Sequence, residues 1–163
     1  GKAQNPEVKY HVVHRLDKDT TGVIIFAKSR EVAAFIANAF KEGQIQKEYL
    51  ALTVGTPSPL KGQIDARIGK STVGDIEKMM LMPQEEGGLR AITDYEILDV
   101  SDKQVALAKL EPQTGRTHQL RVHLNAIECP ILGDGKYAGQ TAHLGKRRTL
   151  KLHAHQLTIQ ILE

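Results

Sequence analysis

The segment His14–Gly22 contains two side chains suited to chemistry, the carboxylate of Asp17 and the guanidinium of Arg15. It reads HRLDKDTTG and is followed by the apolar run Val23–Ala27, which predicts a short strand. A carboxylate on irregular backbone that a strand holds in place is typical of a catalytic or binding position. Asp, Thr and Gly are also common in turns, so a turn alone would explain the same residue types.

Two further segments contain groups that could act on a ligand. The first reads KEYLA, residues 47–51, and alternation along a strand places Tyr49 on the face opposite Leu50 and Leu52. The second reads PQTGRTHQLRVHL, residues 112–124. Together with HRLDKDTTG they are three sequence-distant segments that require a common explanation.

The elements that position these segments follow from the apolar patterns. Helices are predicted over Ser29–Gly43, with Ser29 as N-cap, and over Thr117–Ile127. Their expected apolar stripes are Val32, Ile36 and Phe40 in the first and Leu120, Leu124 and Ile127 in the second. The predicted strands are Lys47–Val54, Ala91–Val100, Gln104–Leu110 and Leu150–Leu162. The Gly-rich residues 61–88 show no clear pattern, and the interspersed order predicts one α+β domain spanning residues 1–163.

Composition narrows the class of protein. The 163 residues carry 22 Lys and Arg against 19 Asp and Glu. No apolar run approaches the ~18 residues that a membrane span needs, so no membrane partner is expected. The single cysteine, Cys129, indicates a reducing compartment such as the cytoplasm. Basic residues crowd the last third of the chain, which suits a polyanion such as RNA or, equally, a solvated face. They are Arg116, Arg121, Lys136, Lys146, Arg147, Arg148 and Lys151.

The three segments resemble the RNA pseudouridine synthases of the RluA type. The resemblance rests on HRLDKDTTG with its apolar strand, on KEYLA and on PQTGRTHQLRVHL, and it continues through PILGD with Tyr137 and through LHA at 152–154. The matches occur in family order and cover most of the chain. The resemblance implies the family's fold, a mixed and mainly antiparallel sheet flanked by helices, with a central RNA-binding cleft. It also implies isomerisation of uridine in ribosomal or transfer RNA.

The resemblance assigns roles to three residues. Asp17 would be the catalytic aspartate that attacks the target nucleotide. Arg121 would pair with Asp17, where a guanidinium would favour and orient the charged carboxylate. Tyr49 would stack on the flipped uracil near the proton lost from C5. The reaction moves a bond within one nucleotide, so neither a cofactor nor a metal is implied.

A second group of residues is expected to contact substrate or RNA. Arg116 precedes a predicted helix N-terminus, where a phosphate would bind well. Leu152 would form an apolar wall of the pocket. Without the resemblance, a structural salt bridge would be the favoured account of Arg15 or Arg116. The full set of expected RNA-binding residues is His14, Arg15, Leu16, Thr20, Arg116, His118 and Leu152.

The chain also departs from the family pattern. Thr21 replaces the usual Ser, and a hydroxyl is retained. Family domains have two strands and a Lys-Pro-x-Gly segment ahead of HRLD, whereas only thirteen residues precede His14. We therefore expect an N-terminally truncated, monomeric catalytic domain without an S4-type domain. An inactive RNA-binding protein with the same fold is the alternative, and a His/Asp hydrolase would need a nucleophile that the sequence does not supply.

Other motif interpretations fail on spacing. His118 and His123 are five apart and do not share a helix face, so packed or RNA-facing histidines are favoured over a zinc site. Gly69-Lys70-Ser71 lacks the glycine that a phosphate-binding loop requires at position 64. Asp17 and Asp19 are too close in one turn to define the carboxylate separation of a glycosidase.

Overall fold

A computed structural model describes residues 9–73, 76–101, 104–142 and 149–159. The helices are α1 (Arg30–Lys41) and α2 (Gln119–Ala126). The strands in chain order are β1 (His11–Val12), β2 (Thr21–Gly22), β3 (Phe26–Ala27), β4 (Ile45–Val54), β5 (Lys61–Asp65), β6 (Ile68–Val73), β7 (Ile76–Leu81), β8 (Ile92–Ser101), β9 (Val105–Pro112) and β10 (Leu152–Ile159). Among these described residues, no helix is long and apolar enough to cross a membrane.

The central sheet has six strands in the order β2-β10-β4-β9-β8-β5. All neighbouring strands are antiparallel except β2, which pairs with β10 in parallel. Strands β1 and β3 form a small separate pair, and β6 and β7 form a hairpin. The predicted mixed, mainly antiparallel α+β fold is confirmed. The hairpin lies in the Gly-rich stretch to which the sequence assigned no element.

Helix α2 packs on the central sheet and is buried more completely than its sequence indicates. Leu120 and Leu124 join Leu110 and Ile131 in the main core, as the predicted stripe requires. However, every residue from Gln119 to Leu124 is buried, including the polar ones. The predicted apolar stripe is therefore only part of the buried surface of α2, because other elements also cover Gln119, Arg121 and His123.

Helix α1 begins as predicted, with the Ser29 hydroxyl accepting a hydrogen bond from the Val32 backbone N–H. It buries Ile36 and Ala39 in a second cluster with Ala27. Ile36 and Phe40 of the predicted stripe belong to this cluster, whereas Val32 is 47% exposed and Ala33 packs there instead.

One strand prediction is confirmed and another needs correction. In β4, Tyr49 lies on the face opposite Leu50 and Leu52, as predicted, and the buried residues Ala51 and Thr53 share the face of Tyr49. The run Val23–Ala27 is a strand only at its last two residues.

The first half of the Val23–Ala27 run bonds elsewhere. The Val23 N–H donates to the Ala154 carbonyl oxygen, and the Ile25 N–H donates to the His14 ring. These partners interrupt the regular ladder that the apolar run predicted.

Candidate active site

One open cleft of about 950 Å³ lies where the three motif segments meet. Its walls are the loop before β2, the start of β4, residues 111–121 and strand β10. This volume is at the upper end of the range for small-ligand sites. Every site residue expected from the sequence lines the cleft, namely His14, Arg15, Leu16, Asp17, Thr20, Tyr49, Arg116, His118, Arg121 and Leu152.

The loop that carries Asp17 is held by its first residue. The ring nitrogen Nε2 of His14 accepts a hydrogen bond of 2.9 Å from the Ile25 backbone N–H. The same ring lies 4.9 Å from the ring of Phe40 in α1. Burial lowers the pKa of His14, which keeps the imidazole neutral and able to accept. His14 thus has a structural contact in addition to its place on the cleft wall.

The far end of this loop is fixed by close backbone approach. Gly22 has φ of 125°, and a Cβ built there would lie 2.1 Å from the Ala154 carbonyl oxygen. Only glycine allows the parallel pairing of β2 with β10 at this separation. Between the two anchors, the Thr20 N–H donates to the Asp17 carbonyl oxygen and closes a turn. The Asp17 side chain is 34% exposed and faces the cleft.

Tyr49 reaches the cleft from the core face of β4. It packs against the main core cluster and is half-buried. Burial raises the pKa of Tyr49, and the negative charge of Asp17 raises it further. The phenol therefore stays protonated near neutral pH, close enough to Asp17 to respond to its charge.

Arg121 has a different ionic partner from the one that the resemblance implied. Its guanidinium donates two hydrogen bonds to the Asp134 carboxylate, from Nε at 2.9 Å and from Nη2 at 2.7 Å. The two side chains are only 9% and 1% exposed. Within the described residues Arg121 has no ion pair with Asp17, so the expected direct pairing is wrong. Burial acts to lower the pKa of Arg121, but Asp134 raises it overall, with a smaller contribution from Asp17.

In the described part of the chain, the ion-pair contact of Asp17 is with His118. Its Nε2 is 4.0 Å from Asp17 Oδ2, and its Nδ1 is hydrogen-bonded to the Tyr137 hydroxyl. His118 is not part of α2, because its φ of 53° places it in the left-handed region just before the helix. That conformation is uncommon for a residue with a Cβ and turns the ring into the cleft.

A buried hydrogen-bond network holds the segment 111–118 against the sheet. The Gln119 amide donates to the Ile92 carbonyl and the Thr93 hydroxyl, and its oxygen accepts from the Thr114 hydroxyl and the Arg116 backbone N–H. The fully buried His123 continues the network by contacting the Thr93 hydroxyl. Each polar group has a partner, so the loop is rigid.

The cations of the cleft differ in how they are held. Arg15 and Arg116 are exposed, and Arg116 Nε donates to the Arg90 carbonyl oxygen. Lys47, to which the sequence interpretation assigned no role, lines the cleft with its Nζ 3.4 Å from the Thr114 carbonyl oxygen. Burial lowers the pKa of Lys47. The basic cluster at 146–148 lies outside the described residues, and the buried Arg121 does not contribute to a basic surface.

Two uncharged residues complete the cleft. Leu152, 5% exposed, belongs to the main core and presents an apolar wall, as expected. The Thr20 hydroxyl is buried and has no hydrogen-bond partner in the described part of the chain.

Asp134 and Tyr137 belong to the motif PILGD with Tyr137, and the sequence predicted no role for either residue. Their signal was the spacing Gly133-Asp134 followed by Tyr137, which brings a carboxylate and a phenol next to Arg121 and His118.

A family model described as RNA pseudouridylate synthase matches residues 2–126. The chain is 39% identical over 150 residues to ribosomal large subunit pseudouridine synthase C of Rickettsia conorii, covering 92% of this chain and 48% of that protein. It is 36% identical over 155 residues to ribosomal large subunit pseudouridine synthase D of Borreliella burgdorferi, covering 95% and 46% respectively. It is also 37% identical to a mitochondrial pseudouridylate synthase, RPUSD4, of Bos taurus, covering 94% of this chain and 50% of that one.

Solved structures agree with these sequence matches. The fold superimposes on human RNA pseudouridylate synthase domain containing 4 with a TM-score of 0.76 and 33% identity, over 92% of this chain and 67% of that one. For human RNA pseudouridylate synthase domain containing 1 the TM-score is 0.79 at 31% identity, over 91% and 63%. The chain belongs to the RNA pseudouridylate synthase family, as the sequence motifs indicated. It spans about half the length of the curated relatives that it matches.

Proposed function

We propose that this protein converts uridine to pseudouridine in structured RNA, with Asp17 as the attacking carboxylate. The observation that carries the proposal is the convergence of the three motif segments on one cleft, where Asp17 faces Tyr49 and His118 and lies near Arg121. Membership of the RNA pseudouridylate synthase family supports the same assignment. We propose further that residues 1–163 act as a single catalytic domain.

The reaction breaks the N1–C1′ glycosidic bond, turns the uracil and rejoins it through C5. C5 loses its proton and the freed N1 takes one up, so the product is an isomer of uridine. Asp17 is the nucleophile or base that starts this exchange. Tyr49 stacks on the freed uracil and lies beside the C5 proton. Arg121, fixed by Asp134, supplies positive charge near the carboxylate without neutralising it by direct contact. The apolar side chain of Leu152 closes the pocket.

The target base has to leave its stack before Asp17 can reach it, which costs a few kcal/mol in a duplex and less in a loop. The exposed Arg15 and Arg116 suit phosphates on either side of the flipped nucleotide. The proposed RNA-contacting surface also includes His14, Leu16, Thr20 and His118. The unpartnered Thr20 hydroxyl suits a contact with the nucleotide.

The names of the relatives favour ribosomal RNA of the large subunit as the substrate, with transfer RNA as the second choice. We propose a monomer that works in the cytoplasm. The mitochondrial relatives make the mitochondrial matrix the alternative compartment.

The proposal is tested by tritium release from RNA labelled at uridine C5. The wild-type protein is expected to release tritium, and Asp17→Asn is expected to release none while still binding RNA. Asp19→Asn is the matched control, because Asp19 is exposed in the same loop and its φ of 70° suits asparagine. Full tritium release by Asp17→Asn, or an equal loss of release in both variants, would show that Asp17 is not the catalytic carboxylate. Binding without release by the wild type would indicate an inactive RNA-binding protein.

A further inference from the structure

Tyr137 is a second tyrosine beside the cleft, with no role in the reaction as proposed. Its hydroxyl is hydrogen-bonded to Nδ1 of His118, and the two rings meet edge to face with centroids 5.5 Å apart. The other ring nitrogen of His118, Nε2, is the one that faces Asp17. In the described part of the chain, the hydrogen-bond path from Tyr137 to the Asp17 carboxylate therefore runs through His118.

The protonation states of the two groups limit the Tyr137–His118 hydrogen bond to two possible directions. Burial raises the pKa of Tyr137, so its hydroxyl keeps its proton. Burial is the main cause that lowers the pKa of His118, so the ring is neutral near pH 7 and has a single N–H. Among the charged groups around His118, Asp17 and Asp134 raise its pKa, whereas Arg121 and Lys136 lower it. A neutral ring either donates Nδ1–H to the Tyr137 hydroxyl or accepts from it at Nδ1 and has its proton on Nε2. The second arrangement is favoured because Nε2 faces the Asp17 carboxylate, which can only accept.

The position of Tyr137 is itself strongly constrained. Asp134 Oδ1 accepts hydrogen bonds of 3.2 Å from the backbone N–H groups of Lys136 and Tyr137. The Arg121 guanidinium lies over the Tyr137 ring, 5.0 Å from its centroid. One carboxylate thus fixes both Arg121 and the turn that presents Tyr137. The left-handed backbone at His118 supplies a further constraint, since such a conformation persists only where its surroundings determine it.

We propose that Tyr137 is a positioning residue that acts through His118, holding it in the tautomer whose Nε2–H is directed at the Asp17 carboxylate. This inference rests on the proposed function of Asp17. The present Nε2–Oδ2 separation of 4.0 Å is longer than a hydrogen bond, and such bonds commonly shorten when substrate closes the site. The donated hydrogen bond then selects one carboxylate oxygen for attack.

The tautomer is measured without reference to activity, by NMR of the protein labelled with ¹⁵N-histidine. The His118 signal, assigned by its loss in His118→Gln, is expected to show the Nε2–H tautomer in the wild type and a mixture of tautomers in Tyr137→Phe. The matched control is Tyr95→Phe, which also removes a tyrosine hydrogen bond, to the Pro59 carbonyl, away from His118. An Nδ1–H tautomer in the wild type would overturn the proposal.

Kinetics of tritium release test whether Tyr137 acts through His118. Tyr137→Phe is expected to lower kcat about tenfold with KM changed less than twofold, because His118 Nε2–H is then no longer held in place to donate to the charged Asp17 carboxylate. In a His118→Gln background, which has no tautomer to fix, adding Tyr137→Phe is expected to change kcat by less than about twofold. Equal losses in the two backgrounds would show a purely structural role and refute the proposal. No release by the wild type would instead refute the proposed function, while the NMR result would still decide the tautomer.

Discussion

Replacing Asp134 with alanine tests how strongly the buried ion pair supports the site. The Arg121 side chain is only 9% exposed, and the substitution would remove the two hydrogen bonds of its guanidinium. It would also leave the backbone N–H groups of Lys136 and Tyr137 without their acceptor. Removing one partner of a buried pair costs about 3–5 kcal/mol, since the remaining charge stays desolvated. The total stability of a domain is about 5–15 kcal/mol, so the loss is a large share of it.

Thermal and urea unfolding followed by circular dichroism measure this loss. At about 2–4 °C per kcal/mol for a domain of this size, Asp134→Ala is expected to lower Tm by about 6–20 °C. The matched control is Asp65→Ala, which breaks an Arg–Asp pair of 3.1 Å whose side chains are 63% and 47% exposed. That exposed pair contributes about 0–1 kcal/mol.

A double variant separates stability from chemistry. Arg121→Met with Asp134→Leu replaces both charges by apolar groups of similar volume, and we expect most of the stability to return. Tritium release is expected to remain absent, because Arg121 is part of the proposed catalytic set. If Asp134→Ala costs no more than Asp65→Ala, the buried pair does not stabilise the site and the reasoning is wrong.

Two further predictions concern the backbone at β2 and the pH dependence of stability. Gly22→Ala is expected to lower the free energy of unfolding, measured with urea, by about 2–6 kcal/mol, because the backbone is strained and the new Cβ collides with Ala154. Gly43→Ala is the control: a Cβ there would have no atom within 4 Å, and the expected cost is about 1–2 kcal/mol. Similar costs at both glycines would contradict the close approach of β2 to β10. Burial lowers the pKa of His123, so the unfolded chain takes up its proton first. This contribution to stability is complete above about pH 6.5 and is lost as the pH falls below it, by at most about 1.4 kcal/mol per pH unit. His123→Gln is expected to flatten the fall in urea midpoint between pH 7.5 and 5.5, and an unchanged slope would exclude His123 as its source.

The motifs and capping signals were sufficient to predict much of the fold and the membership of the cleft. Ser29 caps α1 as expected, and every proposed site residue lies on one cleft. The reason is that these signals are local: a side-chain oxygen, an alternation, or a short segment with a family pattern.

The errors arose where a residue's environment is set by distant parts of the chain. Alternation along β4 does not indicate which of its two faces the core covers. The covered face is that of Ala51 and Thr53, although Leu50 and Leu52 on the other face have larger apolar side chains. The partner of Arg121 is 13 residues further along, in a turn that no periodicity connects to α2. Gln119, Arg121 and His123 of α2 are buried because the sheet and its hydrogen-bond network cover them, which helical periodicity cannot indicate.

The parallel pairing of β2 with β10 has a consequence for the order in which the protein matures. Thr21 and its hydrogen-bond acceptor at Leu152 are separated by 131 residues, so all of residues 22–151 have to be synthesised before the two can meet. Pairings of such long sequence separation form late, because closing the intervening chain costs entropy that only the completed sheet repays. We therefore expect the HRLD loop to take its working shape last. Asp17, the proposed nucleophile, would then lie outside a completed cleft in the nascent chain until β10 has been synthesised.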